Sequence, residues 1–161
     1  LDQTFFDQFQ KFIFSAPMDW HWQEHQYFIT LNVDSPQHND RGFFSHTFFQ
    51  DYEPHSPHYS RFIVPILHGL KCKMVSTVRA NCLPKDSKPY TSNFHCDRPF
   101  DCNTAILYMN TNNGYTLLGE KEKIKIKSEA NKIVVFDSKT KHCAVSQTDK
   151  PRRIVINFNY T

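Results

Sequence analysis

The sequence predicts a mainly β chain, a jelly roll braced by N-terminal helices. Three observations predict it. From Lys71 to the end, short runs rich in Val, Ile, Phe and Tyr alternate with turn residues, strand after strand. Before Lys71, two stretches carry apolar residues at helical spacing. Only four glycines are present, with no GxGxxG or GxxxxGKS/T pattern, which excludes a Gly-rich phosphate loop. At 161 residues the expectation is a single domain over 1–161, with 1–70 as helical support and loop and 71–161 as the jelly-roll core.

The first helix is expected over Asp2–Ser15. Phe5, Phe6, Phe9, Phe12 and Ile13 form one stripe, Asp2 is placed to cap the N-terminus, and Pro17 stops the helix. Trp20 and Trp22 suggest a packed corner or a pocket rim, with core packing favoured. Gln26–Asn32 alternates like a short strand. Ser35–Pro57 is polar and rich in turn residues. It reads as a loop that carries His38, His46 and His55 as solvated side chains, with His58 just beyond; the spacings match no zinc signature. Ser56–Leu70 is expected as a second helix, with Ser56 as cap, Phe62, Ile63, Ile66, Leu67 and Leu70 as its buried stripe, and a kink or break at Pro65.

Eight strands are expected after that: Lys71–Leu83, Tyr90–Cys96, Asn103–Asn110, Tyr115–Gly119, Lys123–Lys127, Lys132–Asp137, His142–Gln147 and Arg152–Tyr160. Asn112-Asn113-Gly114 and Glu129-Ala130-Asn131 read as turns. Lys123–Lys127 alternates strictly and should have one wet face.

Chemistry concentrates at His95-Cys96-Asp97. Residues two apart on a strand share a face, so an imidazole and a carboxylate project side by side. Alone, this pair is weak in a chain with nine histidines; it reads first as a half-buried histidine and a turn carboxylate before Pro99. The order gives it weight: His-x-Asp, then strands, then His142, then Arg152-Arg153 opening the last strand. Two imidazoles and one carboxylate are the ligand set of a facial Fe(II) site that keeps open positions. An arginine fork beside such a site suits the carboxylate of a keto acid. Strand parity selects Arg153: if it points inward, Val155, Asn157 and Asn159 follow, and Ile154, Ile156 and Phe158 face the helices. The opposite register would bury two amides in the helix layer.

Net charge is +3, too small to imply nucleic acid without a clustered basic patch. Five cysteines, an odd number without CxxC, fit a reduced cytoplasmic compartment. No apolar run reaches membrane-spanning length and no signal peptide stands out, while a start at Leu1 rather than Met leaves a preceding targeting segment open. Cys96 and Cys143 are expected to be buried thiols free of metal, with Cys96 turned away from its neighbours.

Over residues 71–161 the chain resembles the Fe(II)/2-oxoglutarate-dependent dioxygenases of double-stranded β-helix (cupin-like jelly-roll) fold. The nearest subgroup is prolyl-4-hydroxylase-like, in the compact forms common in marine phages and bacteria. The segments that carry this are His95–Asp97, Thr104–Asn110, Asn113–Thr116, Asn131–Phe136, His142 and Arg153–Phe158, with fainter similarity at Phe43–Phe49 and Phe62–Leu70. The resemblance implies that His95, Asp97 and His142 hold Fe(II), that Arg153 and the Tyr108 hydroxyl bind the distal carboxylate of 2-oxoglutarate, and that O2 is the co-reactant, with ascorbate as an auxiliary reductant. Thr104, on the same strand face as Tyr108, is expected to line the cosubstrate pocket, as is Asn81.

The implied activity is hydroxylation of peptidyl proline or another protein side chain, in the cytoplasm, or in the host cytoplasm if the chain is phage-encoded. A small-molecule substrate stays open; the second reading is a non-catalytic jelly-roll binding or structural module with a vestigial metal site, and the third a cupin-like enzyme with another metal and no keto acid. The nucleic-acid-repair branch carries a second arginine six residues after the cosubstrate arginine; here that position is Asn159, which argues against that branch.

Overall fold

The computed structural model describes residues 1–15, 18–24 and 41–161. The alternation in β10 (Arg152–Tyr160) organises the larger sheet: Ile154, Ile156 and Phe158 are buried on one face, and Arg153, Val155, Asn157 and Asn159 take the other. β4 (Val75–Pro84) and β5 (Asn103–Tyr108) flank it antiparallel, so that Asn157 lies opposite Arg79 on one side and Ile106 on the other. β2 (Phe43–Gln50) extends the sheet beyond β4, and β8 (Lys132–Asp137) beyond β5. Short β1 (His21–Gln23) and β3 (Glu53–Pro54) pair with β2. A smaller sheet runs β7 (Ile124–Lys127), β6 (Tyr115–Leu118), β9 (His142–Val145). The two sheets face each other: Ile126 packs on Ile106, Tyr108 and Val155.

The helices cover the outer face of the larger sheet. α1 (Gln3–Ser15) begins where Asp2 Oδ1 accepts the Phe5 N–H at 3.0 Å, an N-cap. It buries Phe6, Phe9 and Ile13 against the outward residues of β4, β5 and β10. The Phe9 ring stacks on Phe62 at 4.6 Å and meets Phe48 edge-on at 6.1 Å. Each such side chain contributes about 1.5–3 kcal/mol through burial.

Five expectations are corrected. Phe43–Gln50 is a strand, because every second residue (Phe43, Ser45) is buried on one face while Phe48 enters the helix-side core on the other. His46 is therefore buried rather than solvated, its Nδ1 3.1 Å from the Asp19 carbonyl, and burial pushes its pKa down. Ser56–Leu70 breaks at Pro65 as expected, but it starts later and in another form, a π-helical turn Tyr59–Ile63 followed by α2 (Val64–Gly69) with Pro65 in the first turn. Lys71–Met74 forms a turn with Lys71 at φ 55°, so β4 begins at Val75. Tyr90–Cys96 is extended but makes only isolated bridges, Thr91 with Val145 and His95 with His142. Pro17, the strand expected at Gln26–Asn32 and His38 lie outside the described residues.

Candidate metal centre

The irregular segment before Cys96 positions the first histidine. From Thr91 to His95 is four steps, but from Val145 to His142 is three, so one residue bulges. Serine side chains fill the broken ladder: Ser92 Oγ accepts from Ala144 N–H, and Ser146 Oγ from Tyr90 N–H. Beyond the bulge, His95 and His142 exchange both backbone hydrogen bonds, at 3.0 and 2.8 Å. Such a pair puts the two side chains side by side, and the imidazole centroids are 4.3 Å apart. Gly119, at φ 80°, turns the chain after β6 and donates its N–H to Lys141 O at 2.7 Å, which sets where β9 starts.

Each histidine ring is oriented by a carbonyl. His142 Nδ1 lies 3.1 Å from Thr140 O, and His95 Nδ1 3.3 Å from Asn93 O. Both Nε2 atoms are thereby turned to Asp97 Oδ1, at 3.4 Å from His142 and 3.6 Å from His95. The three donor atoms all lie within 4.8 Å of one another. Cis ligands on a metal at roughly 2.1 Å stand roughly 3 Å apart, so a small inward adjustment closes this set on one ion. Burial, then the His95 ring, pushes the His142 pKa down, which keeps it neutral and able to ligate. For Asp97, burial opposes the charge, but the contact with His95, the His142 ring and the Asn159 amide outweigh it and hold the carboxyl well below the usual carboxylate range. The Asp97 backbone is fixed by its N–H donating to Ser138 O at 3.1 Å.

Arg153 occupies the inner face further along β10 and is 2% exposed. Its Nε donates to Ser128 Oγ at 2.9 Å and its Nη2 to Thr116 Oγ1 at 3.2 Å; the guanidinium stands over the Tyr108 ring at 5.6 Å. The Tyr108 hydroxyl, also buried, donates to the same Thr116 Oγ1 at 2.8 Å. Among the described residues no carboxylate lies within ion-pair distance of Arg153. Burial pushes its pKa down to about 10, still cationic at neutral pH. Arg152, one residue earlier, is exposed and donates to Phe14 O at 2.8 Å.

The other expected residues divide between these two places. Thr104 sits at the metal end, where its hydroxyl donates to Asp97 Oδ2 at 2.9 Å. Asn81 lies opposite Val155 on the inner wall, and its Oδ1 is buried without a partner, as is Asn157 Oδ1. A cavity of about 270 Å³ is lined by Leu83, the strand partner of Arg153, and Ala144, the strand partner of Thr116, together with Trp22, Tyr90 and Arg41. Trp22 is exposed and lines this cavity, while Trp20 packs against the core. Cys143 is buried, but Cys96 is exposed, its Sγ donating to Lys139 O at 2.9 Å, because the bulge and the turn after Asp97 carry it out of the sandwich. All five cysteines are free thiols.

Sequence reasoning missed Thr116, Ser128 and Asn110. Asn110 Nδ2 donates to Arg152 O at 3.0 Å, and its Oδ1 accepts Ile154 N–H at 3.1 Å, so one side chain grips the backbone on both sides of Arg153. The signal was present as the Tyr108-x-Asn110 spacing, which puts both residues on one face at the end of β5.

No protein-family model and no curated protein matches the chain. Solved structures do. A prolyl hydroxylase from Trichoplax adhaerens, in complex with a hypoxia inducible factor oxygen degradation domain peptide fragment, aligns with TM-score 0.64 at 15% identity over 98% of this chain and 77% of that one. An oxidoreductase of the 2OG-Fe(II) oxygenase family from Burkholderia pseudomallei aligns with TM-score 0.65 at 10% identity over 91% and 74%. At these identities the likeness shows the fold: a double-stranded β-helix shared with 2OG-Fe(II) oxygenases, prolyl hydroxylase among them.

Proposed function

We propose that this protein is an Fe(II)- and 2-oxoglutarate-dependent hydroxylase, with His95, Asp97 and His142 as metal ligands and Arg153 and Tyr108 as the site of the distal cosubstrate carboxylate. The observation that carries it is the buried, cationic, acid-free Arg153 on the same inner wall as a three-donor cluster. A buried charge left without a counter-charge is strongly destabilising, so a dicarboxylate that reaches Arg153 while its keto-acid end meets the metal supplies what the fold lacks. The donor set also fits the ion: two neutral imidazole Nε2 atoms and one carboxylate oxygen leave positions for a keto acid and O2.

When bound, Fe(II) with 2-oxoglutarate and O2 supplies C–H hydroxylation coupled to release of succinate and CO2. The residues do the rest. Arg153 forms a charge-assisted pair with the incoming carboxylate, worth roughly twice a neutral hydrogen bond. Thr116 Oγ1 accepts from both Arg153 and Tyr108, which holds the two side chains in place at that end before ligand arrives, and the single Tyr108 O–H turns from Thr116 to bond the carboxylate. The apolar neighbours Ile106 and Val155 keep water from that end. Asn81 and Asn157 leave amide oxygens without partners on the inner wall, open to a donor. Likeness to a peptide-bound prolyl hydroxylase puts a protein side chain, peptidyl proline first, ahead of a small molecule as substrate class. Five free thiols support a reducing cytoplasm as its place of work.

The test is aerobic succinate release from 2-oxoglutarate with Fe(II) and ascorbate. Wild type is expected to turn over, and Asp97→Ala and His142→Ala to be inactive while keeping native circular dichroism. Full succinate production by either variant overturns the ligand assignment, and no production by wild type, even with a proline-containing peptide library, favours a non-catalytic module.

A further inference from the structure

We infer that Thr104 and Asn159 act together as a neutral clamp on Asp97, reserving its Oδ1 as the single metal-facing oxygen. The inference rests on the metal reading above and deepens it. Asp97 Oδ2 accepts two hydrogen bonds, from Thr104 Oγ1 at 2.9 Å and from Asn159 Nδ2 at 2.9 Å. Asn159 Nδ2 also donates to Thr104 Oγ1 at 3.0 Å, which closes a three-membered ring of contacts. Thr104 and Asn159 are direct partners across β5 and β10, so both arms of the clamp stand on paired strands. Thr104 is wholly buried and Asn159 is 7% exposed.

Two hydrogen bonds occupy Oδ2 from the sheet side, while the two histidine Nε2 atoms face Oδ1. A carboxylate so held offers one oxygen to an ion instead of chelating it with both, which leaves one more position open. Both donors are neutral. They orient the carboxylate without offsetting its charge, as a lysine or arginine there would, so the full negative charge stays available to a dication. Outer-shell partners of this kind typically change metal affinity by about 10–100-fold. Thr104 and Asn159 are thus positioning residues: they act on the metal through Asp97.

The experiment uses the full chain, stripped of metal, titrated with Co(II) and followed by visible absorption, with Ni(II) competition as a second measure of affinity. Asn159→Ala and Thr104→Val should each weaken Co(II) binding by about 10–100-fold and shift the cobalt bands as the freed carboxylate changes its mode of coordination. Thr104→Ser, which keeps the hydroxyl, should restore both. Thr104→Val is nearly isosteric and carries the test if Asn159→Ala does not fold. Affinity and spectrum unchanged from wild type in Thr104→Val, with His142→Ala losing Co(II), would overturn the clamp and leave the metal centre standing. A wild-type protein that binds neither ion would overturn the metal centre and the clamp with it.

Discussion

Arg152 and Arg153 are adjacent in sequence but differ in almost everything around them. One lies over the Phe14 ring in solvent, and the other is sealed in the sandwich, bonded to the Ser128 and Thr116 hydroxyls above the Tyr108 ring. Arg153→Ala is expected to raise the 2-oxoglutarate concentration for half-maximal succinate release steeply, in line with a loss on the order of 2–5 kcal/mol for a buried charge pair. Arg152→Ala should leave it nearly unchanged. A titration of both variants decides; the reverse ranking would mean that the cosubstrate lies elsewhere. The cysteines give a second prediction at this scale. Burial pushes the Cys82 thiol up to about 11 and raises Cys143 as well, so both stay protonated near neutral pH, Cys82 half-buried and Cys143 buried. Iodoacetamide under native conditions should label Cys96 first, and peptide mass spectrometry would expose the error if Cys82 or Cys143 reacted as fast.

Among the elements, the junction of β5 with β10 bears most directly on the site. Asn110 takes over where β5 ends and holds the backbone on both sides of Arg153. Asn110→Ala leaves a carbonyl and an N–H without their partners, at a cost of about 1–3 kcal/mol. It should therefore lower the unfolding midpoint in urea and also weaken 2-oxoglutarate binding, although Asn110 itself touches no ligand. A variant with wild-type stability and cosubstrate dependence would show that β10 keeps its register without this grip. β7 shows a limit of pattern reading. Lys123–Lys127 alternates as strictly as any strand, yet its apolar face is only half used: Ile126 packs inward while Ile124 is exposed. The strand is at the sheet edge, where alternation sets which residues share a face but not whether anything covers it.

At the scale of the molecule, one sheet has two lives. Its outer face carries a helix-covered core from Phe6 to Phe158, and its inner face carries polar residues aimed at the smaller sheet. Phe9→Ala, in the stacked aromatic cluster, should cost about 3–5 kcal/mol and be seen as a large drop in the unfolding midpoint. The inner face should behave oppositely, gaining stability from ligands. Ni(II) with 2-oxoglutarate, each at roughly 100 times its dissociation constant, should add about 2.7 kcal/mol per ligand. Differential scanning calorimetry reads this directly, and a midpoint that ignores both ligands would count against a site in this cleft.

The sequence by itself determined what depends on local order and period. Helix α1 and its Asp2 cap, the inward parity of Arg153, and the grouping of Ile154, Ile156 and Phe158 on the helix side follow from spacing along one element. It also ordered His95, Asp97, His142 and Arg153 along the chain. Contacts between elements were decided only in three dimensions. Phe43–Gln50 reads as a loop because its polar and aromatic residues mix without clean alternation, and pairing with β4 makes it a strand. The one-residue bulge between Thr91 and His95 has no local signature, since it exists only relative to β9, and it carries Cys96 outward. Asn159 lies beside Thr104 because β5 and β10 pair in one register, and both reach Asp97, 62 residues from Asn159, through hydrogen bonds that no periodicity encodes.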